Sequence, residues 1–313
     1  MAGLRDRLAA VFLSDPFRVE GSIDFAKPDG EPALLPPESI AWRVMRSPFS
    51  LFVGGVTVVI LELAEPRMAA AWEHSNFRTH PARRLRRTGY AALVTVYGPR
   101  SAAEALVESV RRRHDRVQGI TSNGEAYTAN DPQLLNWVSA TLAYGLAEAY
   151  HAYVRPLSRE GRDRLLAELA PIGGLYGATA APCSVEAGVA AFAAMRGRLQ
   201  RSEALFAFLP ILHRAPFLPP MLRPLQSLLI RGAVERVPPW LRDILGLDRR
   251  YGLPPGGAAA LRRIGRFTDR IVLPDAPAVR ACRRLGLPMD YLFDRDGAEV
   301  GLLGDDGRVA AVH

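Results

Sequence analysis

Apolar residues recur at three- and four-residue spacing along most of the chain, and Pro, Gly and short polar runs cut this pattern into segments of helical length. Ala41, Trp42, Val44 and Met45 give a short segment an apolar face behind Glu38 or Ser39, and Pro48 ends it. From about Phe49 to Leu63 the chain is apolar nearly all round, which marks a core helix rather than a surface one. Pro66 restarts the chain into a helix carrying Met68, Ala71 and Trp72 toward His74. Asp131 is a good N-cap and Pro132 a good first residue for a long helix to about Tyr153, with Leu135, Val138, Leu142 and Leu146 as its buried stripe. Ser158 caps a helix through Leu165 and Leu169, another covers Val185 to about Leu199, and Ala258 to Thr268 is amphipathic. Residues 203–247 are apolar and interrupted by proline (Phe206, Phe208, Leu209, Phe217, Leu218), which predicts short helices wrapping a pocket.

The segments between are read as connections. TSNGEAYTANDP is loop-like, and IGGLYGATAAP is a glycine-rich connection without the spacing of a phosphate loop. Residues 1–37 form an N-terminal arm, with a short amphipathic helix (Leu4, Leu8, Val11, Phe12) followed by a loop rich in Pro, Gly and Asp. A main body over 38–250 follows, and 251–313 is expected to pack on it as a C-terminal extension, where Asp294 to Gly297 and Asp305 to Gly307 leave room for a small β-hairpin. No repeat of solenoid length is present.

Composition sharpens the class. The 313 residues are 49% hydrophobic, and these are mostly Ala and Leu rather than Val and Ile, so the pattern predicts a single all-α, multi-helix domain. The net charge of +8 is carried almost wholly by arginine, with Lys27 the only lysine. The arginines are dispersed rather than set in a stripe with aromatics, which argues against nucleic acid and leaves a peripheral membrane contact open. Cys183 and Cys282 are far apart and form no CxxC pattern. Arg5, Asp6 and Arg7 stand where a secretory signal would need an apolar run, and Leu51 to Leu61 is too short to span a membrane, so a cytoplasmic protein is expected.

Candidate chemistry concentrates between Arg84 and Gly119, read as two helices joined at Tyr97-Gly98-Pro99. Arg84 and Thr88 are four apart and share a face, with Arg87 beside them. On the second helix Leu106, Val110, His114 and Val117 form one stripe, so His114 takes a slot that periodicity assigns to an apolar residue. A neutral imidazole there is either a satisfied core histidine or a ligand, and spacing alone favours the former. No Ser-His-Asp order, HExxH or paired carboxylates support a hydrolase.

The segments ESIAWRV (38–44), HSNFR (74–78), PARRLRRT (81–88), YG (97–98), VRRRHDRVQG (110–119), GEAYTANDPQLLNWVSATL (124–142), YVRPLS (153–158) and PPWLRDILGL (238–247) follow one another in an order that resembles the haem-b oxygenases. That family is typified by bacterial rubber oxygenase (latex-clearing protein) and the fungal mycophenolic-acid-pathway oxygenase. The resemblance implies an all-α fold enclosing one haem b between helices, with 38–250 as the catalytic domain. It implies that His114 is the axial iron ligand, and that Arg84, Arg87 and Thr88 lie distally, where dioxygen, the co-substrate, meets a hydrophobic small molecule such as an isoprenoid or a biosynthetic intermediate. Distal donors of this kind stabilise a partly negative dioxygen.

The resemblance turns the reading of His114 toward ligand. His74 and Arg78 become candidates for the haem edge and a propionate, and 203–240 a candidate substrate channel. The chain departs from many relatives at Ser139 and Glu65, where they carry His. Two other classes fit the same residues: a haem enzyme that inserts no oxygen, peroxidase-like or dehydrogenating, and a helical scaffold or lipid-binding protein without cofactor.

Overall fold

The computed structural model describes residues 23–73 and 77–293. The N-terminal helix expected around Leu4 to Phe12, the residue His74 and the hairpin expected beyond Asp294 lie outside these.

Thirteen α-helices and one two-stranded hairpin make up the described chain, so the all-α expectation holds. In order they are α1 (Ile40–Met45), α2 (Pro48–Glu62), α3 (Pro66–Glu73), α4 (Pro81–Tyr97), α5 (Arg100–His114), β1 (Gln118–Ile120), β2 (Ala126–Thr128), α6 (Pro132–Tyr153) and α7 (Arg159–Tyr176). There follow α8 (Val185–Met195), α9 (Glu203–Arg214), α10 (Arg223–Val234), α11 (Pro239–Leu245), α12 (Gly257–Thr268) and α13 (Pro277–Arg284). Local chemistry explains most starts. Ser39, Ser47, Asp131, Ser158, Ser184 and Ser202 each accept a hydrogen bond from a backbone N–H in the first turn of the helix they precede. Proline occupies the first turn of α2, α4 and α6, where its missing N–H costs nothing.

The core is built on the crossing of α2 and α6, the most extensive helix pair in the molecule. Two glycines allow it. A Cβ on Gly54 would lie 2.9 Å from the Gly145 carbonyl oxygen, and one on Gly145 would lie 2.7 Å from Val58 Cγ2. The backbones therefore touch, and Thr57 beside them is fully buried with its hydroxyl on the Val53 and Ala233 carbonyls. Around this pair, α10 packs on α2, while α7, α8 and α12 pack on α6. Ala204, Leu205, Phe208, Leu209 and Leu212 of α9 are buried in the same core, so much of the apolar segment expected to wrap a pocket is core instead.

Two sequence expectations change. The segment TSNGEAYTANDP, read as a loop, contains β2, which pairs with β1 just before it so that Gly119 lies opposite Tyr127, and no strand alternation announced strands of three residues each. The glycine-rich connection at 172–176 is helical, because α7 continues through Pro171 and Gly173 to end on the left-handed Gly177. The residue at 173 is glycine for a packing reason: a Cβ there would meet the Ser139 hydroxyl of α6.

The two adjacent glycines of α2 give a paired test. Gly54→Ala is expected to destabilise the protein by roughly 1–3 kcal/mol, since backbone must move. Gly55→Ala meets nothing within 4 Å and should be neutral or stabilising by up to about 1 kcal/mol. Chemical denaturation of both variants checks the contrast, and equal effects would contradict the backbone contact.

Candidate functional site

The expected joint between the two site helices is present. Gly98 is extended, its N–H donates to the Val94 carbonyl at 2.8 Å, and a side chain there would collide with that same carbonyl. Pro99 then opens α5, so α4 and α5 pack against each other. Along α4 one stripe runs from exposed Arg84 and Thr88 to buried Thr95. Thr95 donates to the Ala91 carbonyl at 2.8 Å, which leaves Tyr176 of α7 as donor in the 2.9 Å bond between their hydroxyls.

Arg84 and Thr88 are joined as the spacing predicted, with one qualification of chemistry. The Arg84 guanidinium donates to the Thr88 hydroxyl, and that hydroxyl donates to the Arg84 carbonyl at 3.1 Å. The hydroxyl proton is therefore committed to the helix, and the guanidinium is the free donor of the pair. Arg87 is exposed on the flank and acts on Arg84 as a like charge.

On α5 the buried line is Ala103 and Val107, while Leu106, Val110 and His114 are half-buried beside it. Val117 lies beyond the helix, which ends at His114. Burial holds the imidazole below its ordinary pKa, opposed by the side chain of Asn130 and reinforced by Arg113 and Arg84. The ring is thus neutral at pH 7, and its Nδ1 is buried with no hydrogen-bond partner. The preceding Arg111, Arg112 and Arg113 are exposed, with Arg112 paired to Glu108 and Arg113 bonded to Ser109, so that charge run is a solvated face.

One functional candidate escaped the sequence reading. Glu62 ends α2, half-buried, and burial pushes its carboxyl up to about 7 against the opposing pull of Arg84. Arg84 is accessible by area, yet burial lowers its pKa too, with Glu62 as the main counterweight. The only sequence signal for Glu62 was an acid closing a run of apolar residues.

The other candidates fall elsewhere. Arg78 holds its guanidinium 5.4 Å from the Trp72 ring centroid. Glu65 is fully buried, accepts from the N–H groups of Arg67 (2.7 Å) and Met68 (3.0 Å) at the start of α3, and pairs with the Arg67 and Arg198 guanidinium groups. Ser139 donates to the Leu135 carbonyl at 3.0 Å and lies against Gly173. Both positions are occupied by packing and capping roles. His151 accepts from the Leu157 N–H at 2.9 Å, as a structural histidine does.

A recess of about 370 Å³ flanks α5, lined by Val107, Glu108, Arg111, Asp115, Asn130 and Leu175 among others. An apolar groove of about 330 Å³ lies between α12 and α13, with Ile264, Phe267 and Val279 on its walls; none of the predicted site residues lines it, and Leu225 is its one contribution from 203–240. No group of three or more His, Cys, Asp or Glu side chains converges as a metal cage among the described residues. A porphyrin iron asks for less, because the ring supplies the equatorial donors and the protein an axial one. A half-buried imidazole that burial keeps uncharged, with a guanidinium within electrostatic range, fits that demand.

Glu62 also gives a pH test. Its folded pKa is about 7 against 4.5 for the ordinary group, so its contribution to stability is fully present below pH 4.5 and lost as pH rises through 7. Glu62→Gln removes that loss. The variant should match the parent near pH 4.5 and gain on it by on the order of 1–3 kcal/mol at pH 8, read as the difference between their denaturation midpoints at each pH. A difference independent of pH would contradict a desolvated carboxyl.

Residues 42–270, well over half of the chain, match the family described as "ER-bound oxygenase mpaB/B'/Rubber oxygenase, catalytic domain". No curated protein and no solved structure matches significantly. Among the described residues no single helix is long and apolar enough to cross a membrane. With helices, motif order and matched span in agreement, the chain belongs to the mpaB and rubber oxygenase catalytic-domain family.

Proposed function

We propose that this protein is a haem-b-dependent oxygenase acting on a hydrophobic small molecule, an isoprenoid or a biosynthetic intermediate. The observation that carries the reading is the half-buried imidazole of His114, which burial keeps uncharged, with Arg84 within electrostatic range, in a chain of an oxygenase family. Haem b, when bound, supplies an iron that activates dioxygen for insertion into the substrate.

The protein's own residues do the rest. His114 would hold the iron through an uncharged nitrogen, since burial disfavours the competing proton. Arg84 presents a fixed cation to negative charge developing on oxygen, and Thr88 holds that guanidinium in place. Arg87 raises the local positive potential. Glu62, with its carboxyl near 7, can hold or release a proton at neutral pH beside that cation. Arg78 stands ready as a propionate partner, and its packing on Trp72 limits its reach.

Purified protein reconstituted with haemin should show an intense Soret band that His114→Ala abolishes. Arg84→Ala should keep the band and lower kcat by on the order of 10²–10³. With candidate isoprenoids and isotope-labelled O2, label should enter the product. A parent protein that takes up no haemin would overturn the proposal and favour a helical scaffold, while a turnover product free of label would favour a haem catalyst that inserts no oxygen.

A further inference from the structure

Two buried atoms of complementary chemistry are left without partners at the C-terminal end of α5. One is His114 Nδ1; the other is the amide oxygen of Asn130. Asn130 lies between β2 and Asp131, the N-cap of α6. Its amide nitrogen donates to the Arg111 carbonyl at 3.1 Å and to the Asp115 carboxylate at 2.6 Å. These acceptors lie on either side of His114 in sequence and engage both amide hydrogens, which fixes the side chain with its oxygen as the spare atom.

An unsatisfied buried polar atom costs on the order of 1–3 kcal/mol, and folded proteins keep few of them. Here one bond would satisfy both, provided that the imidazole proton sits on Nδ1. The side chains are near enough for the amide to favour the protonated ring, although the two atoms do not close a hydrogen bond in this arrangement.

We infer that Asn130 is the positioning residue of the metal ligand: its amide oxygen accepts the Nδ1–H of His114, selecting the tautomer that leaves Nε2 free to bind iron. The bond fixes the orientation of the ring as well as its proton, as second-layer partners of ligating histidines do. Asn130 also engages the Asp115 carboxylate, so the ring meets a neutral acceptor rather than an anionic one. A neutral acceptor makes the imidazole a weaker electron donor than a carboxylate would. The inference rests on the haem reading above and adds to it the residue that sets the ligand's tautomer and basicity.

The test uses the full chain with haemin and in its cofactor-free form. Asn130→Leu removes the acceptor and should lower the iron–histidine stretching frequency and speed haemin loss by about 10–100-fold. The exchange variant Asn130→Asp with Asp115→Asn keeps the bond between the two side chains and makes the acceptor anionic. It should raise that frequency without faster haemin loss. Unchanged frequencies in both variants, with His114 still required for the Soret band, would overturn the role of Asn130 and leave the haem reading standing. Nitrogen NMR of the cofactor-free protein decides independently: the Nδ1–H tautomer of His114 is expected in the parent and lost in Asn130→Leu, whereas an Nε2–H tautomer in the parent would overturn the inference even if no haemin binds.

Discussion

The contact between Gly54 and Gly145 fixes how the ends of the two central helices are placed. With no side chain at either position, α2 and α6 approach until backbone meets backbone, and α1, α7, α8, α10 and α12 pack on a pair already locked in register. The pair is antiparallel, since the first turn of α3, three residues after α2 ends, bonds to the start of α6: Arg67 reaches Asp131 at 3.0 Å and Gln133 at 2.8 Å. Glu62 lies about 12 Å beyond the glycine crossing at the rise of an α-helix, and the first turn of α6 about 20 Å beyond it on its own axis. The carboxyl and the Asn130–Asp131 pair are thereby delivered to one end of the molecule, where α5 also ends in His114.

That end is held by charges rather than by apolar packing. Arg67, nearly fully buried, donates through Nε to Glu65, through Nη1 to Asp131 and through Nη2 to Gln133, while Arg198 bonds to Glu125 at 2.6 Å and approaches Glu65 at 3.4 Å. A buried ion cluster adds little net stability, because desolvation offsets most of the attraction. It does impose geometry: a guanidinium with each fork of its donors occupied admits one arrangement of its neighbours. The network ties α3, the hairpin loop and the start of α6 together, and that includes the strand segment from which Asn130 follows. Glu65 is the hub of this cluster, so a histidine in its place would have to surrender both the cap of α3 and the charge that Arg67 requires.

The helices were legible because their punctuation is local. Serine, aspartate and proline at helix starts act within one turn, and the α2 and α6 spans follow from them nearly to the residue. The hairpin was not, since strands of three residues carry no usable period and their pairing is a tertiary outcome. Nor was the helical course of 172–176, where the preceding Pro171 and two glycines speak against a helix and α7 nonetheless runs on to Gly177. In the site, Arg84 and Thr88 were legible as a pair because four residues separate them on one helix. Glu62 and Asn130 were not, because each acquires its chemistry from a residue far off in sequence: a guanidinium two helices on, or an imidazole on the preceding helix. Local patterns report faces; they do not report which faces meet.

The electrostatics of that meeting place follow from burial acting on groups of opposite type. Desolvation lowers the pKa of His114 and raises that of Glu62, so each is driven toward its neutral form. Arginine cannot follow, since even a lowered guanidinium pKa leaves it charged at any physiological pH. Near pH 7 Arg84 is therefore a cation whose neighbouring acid, Glu62, is only partly ionised. A cation whose neighbouring acid is not fully ionised attracts an electron-rich group that approaches it. As pH rises above 7 the Glu62 carboxylate supplies the missing counter-charge from within, and the attraction for an outside group weakens. The burial that raises the Glu62 carboxyl thus sets the pH range over which the Arg84 guanidinium is least compensated.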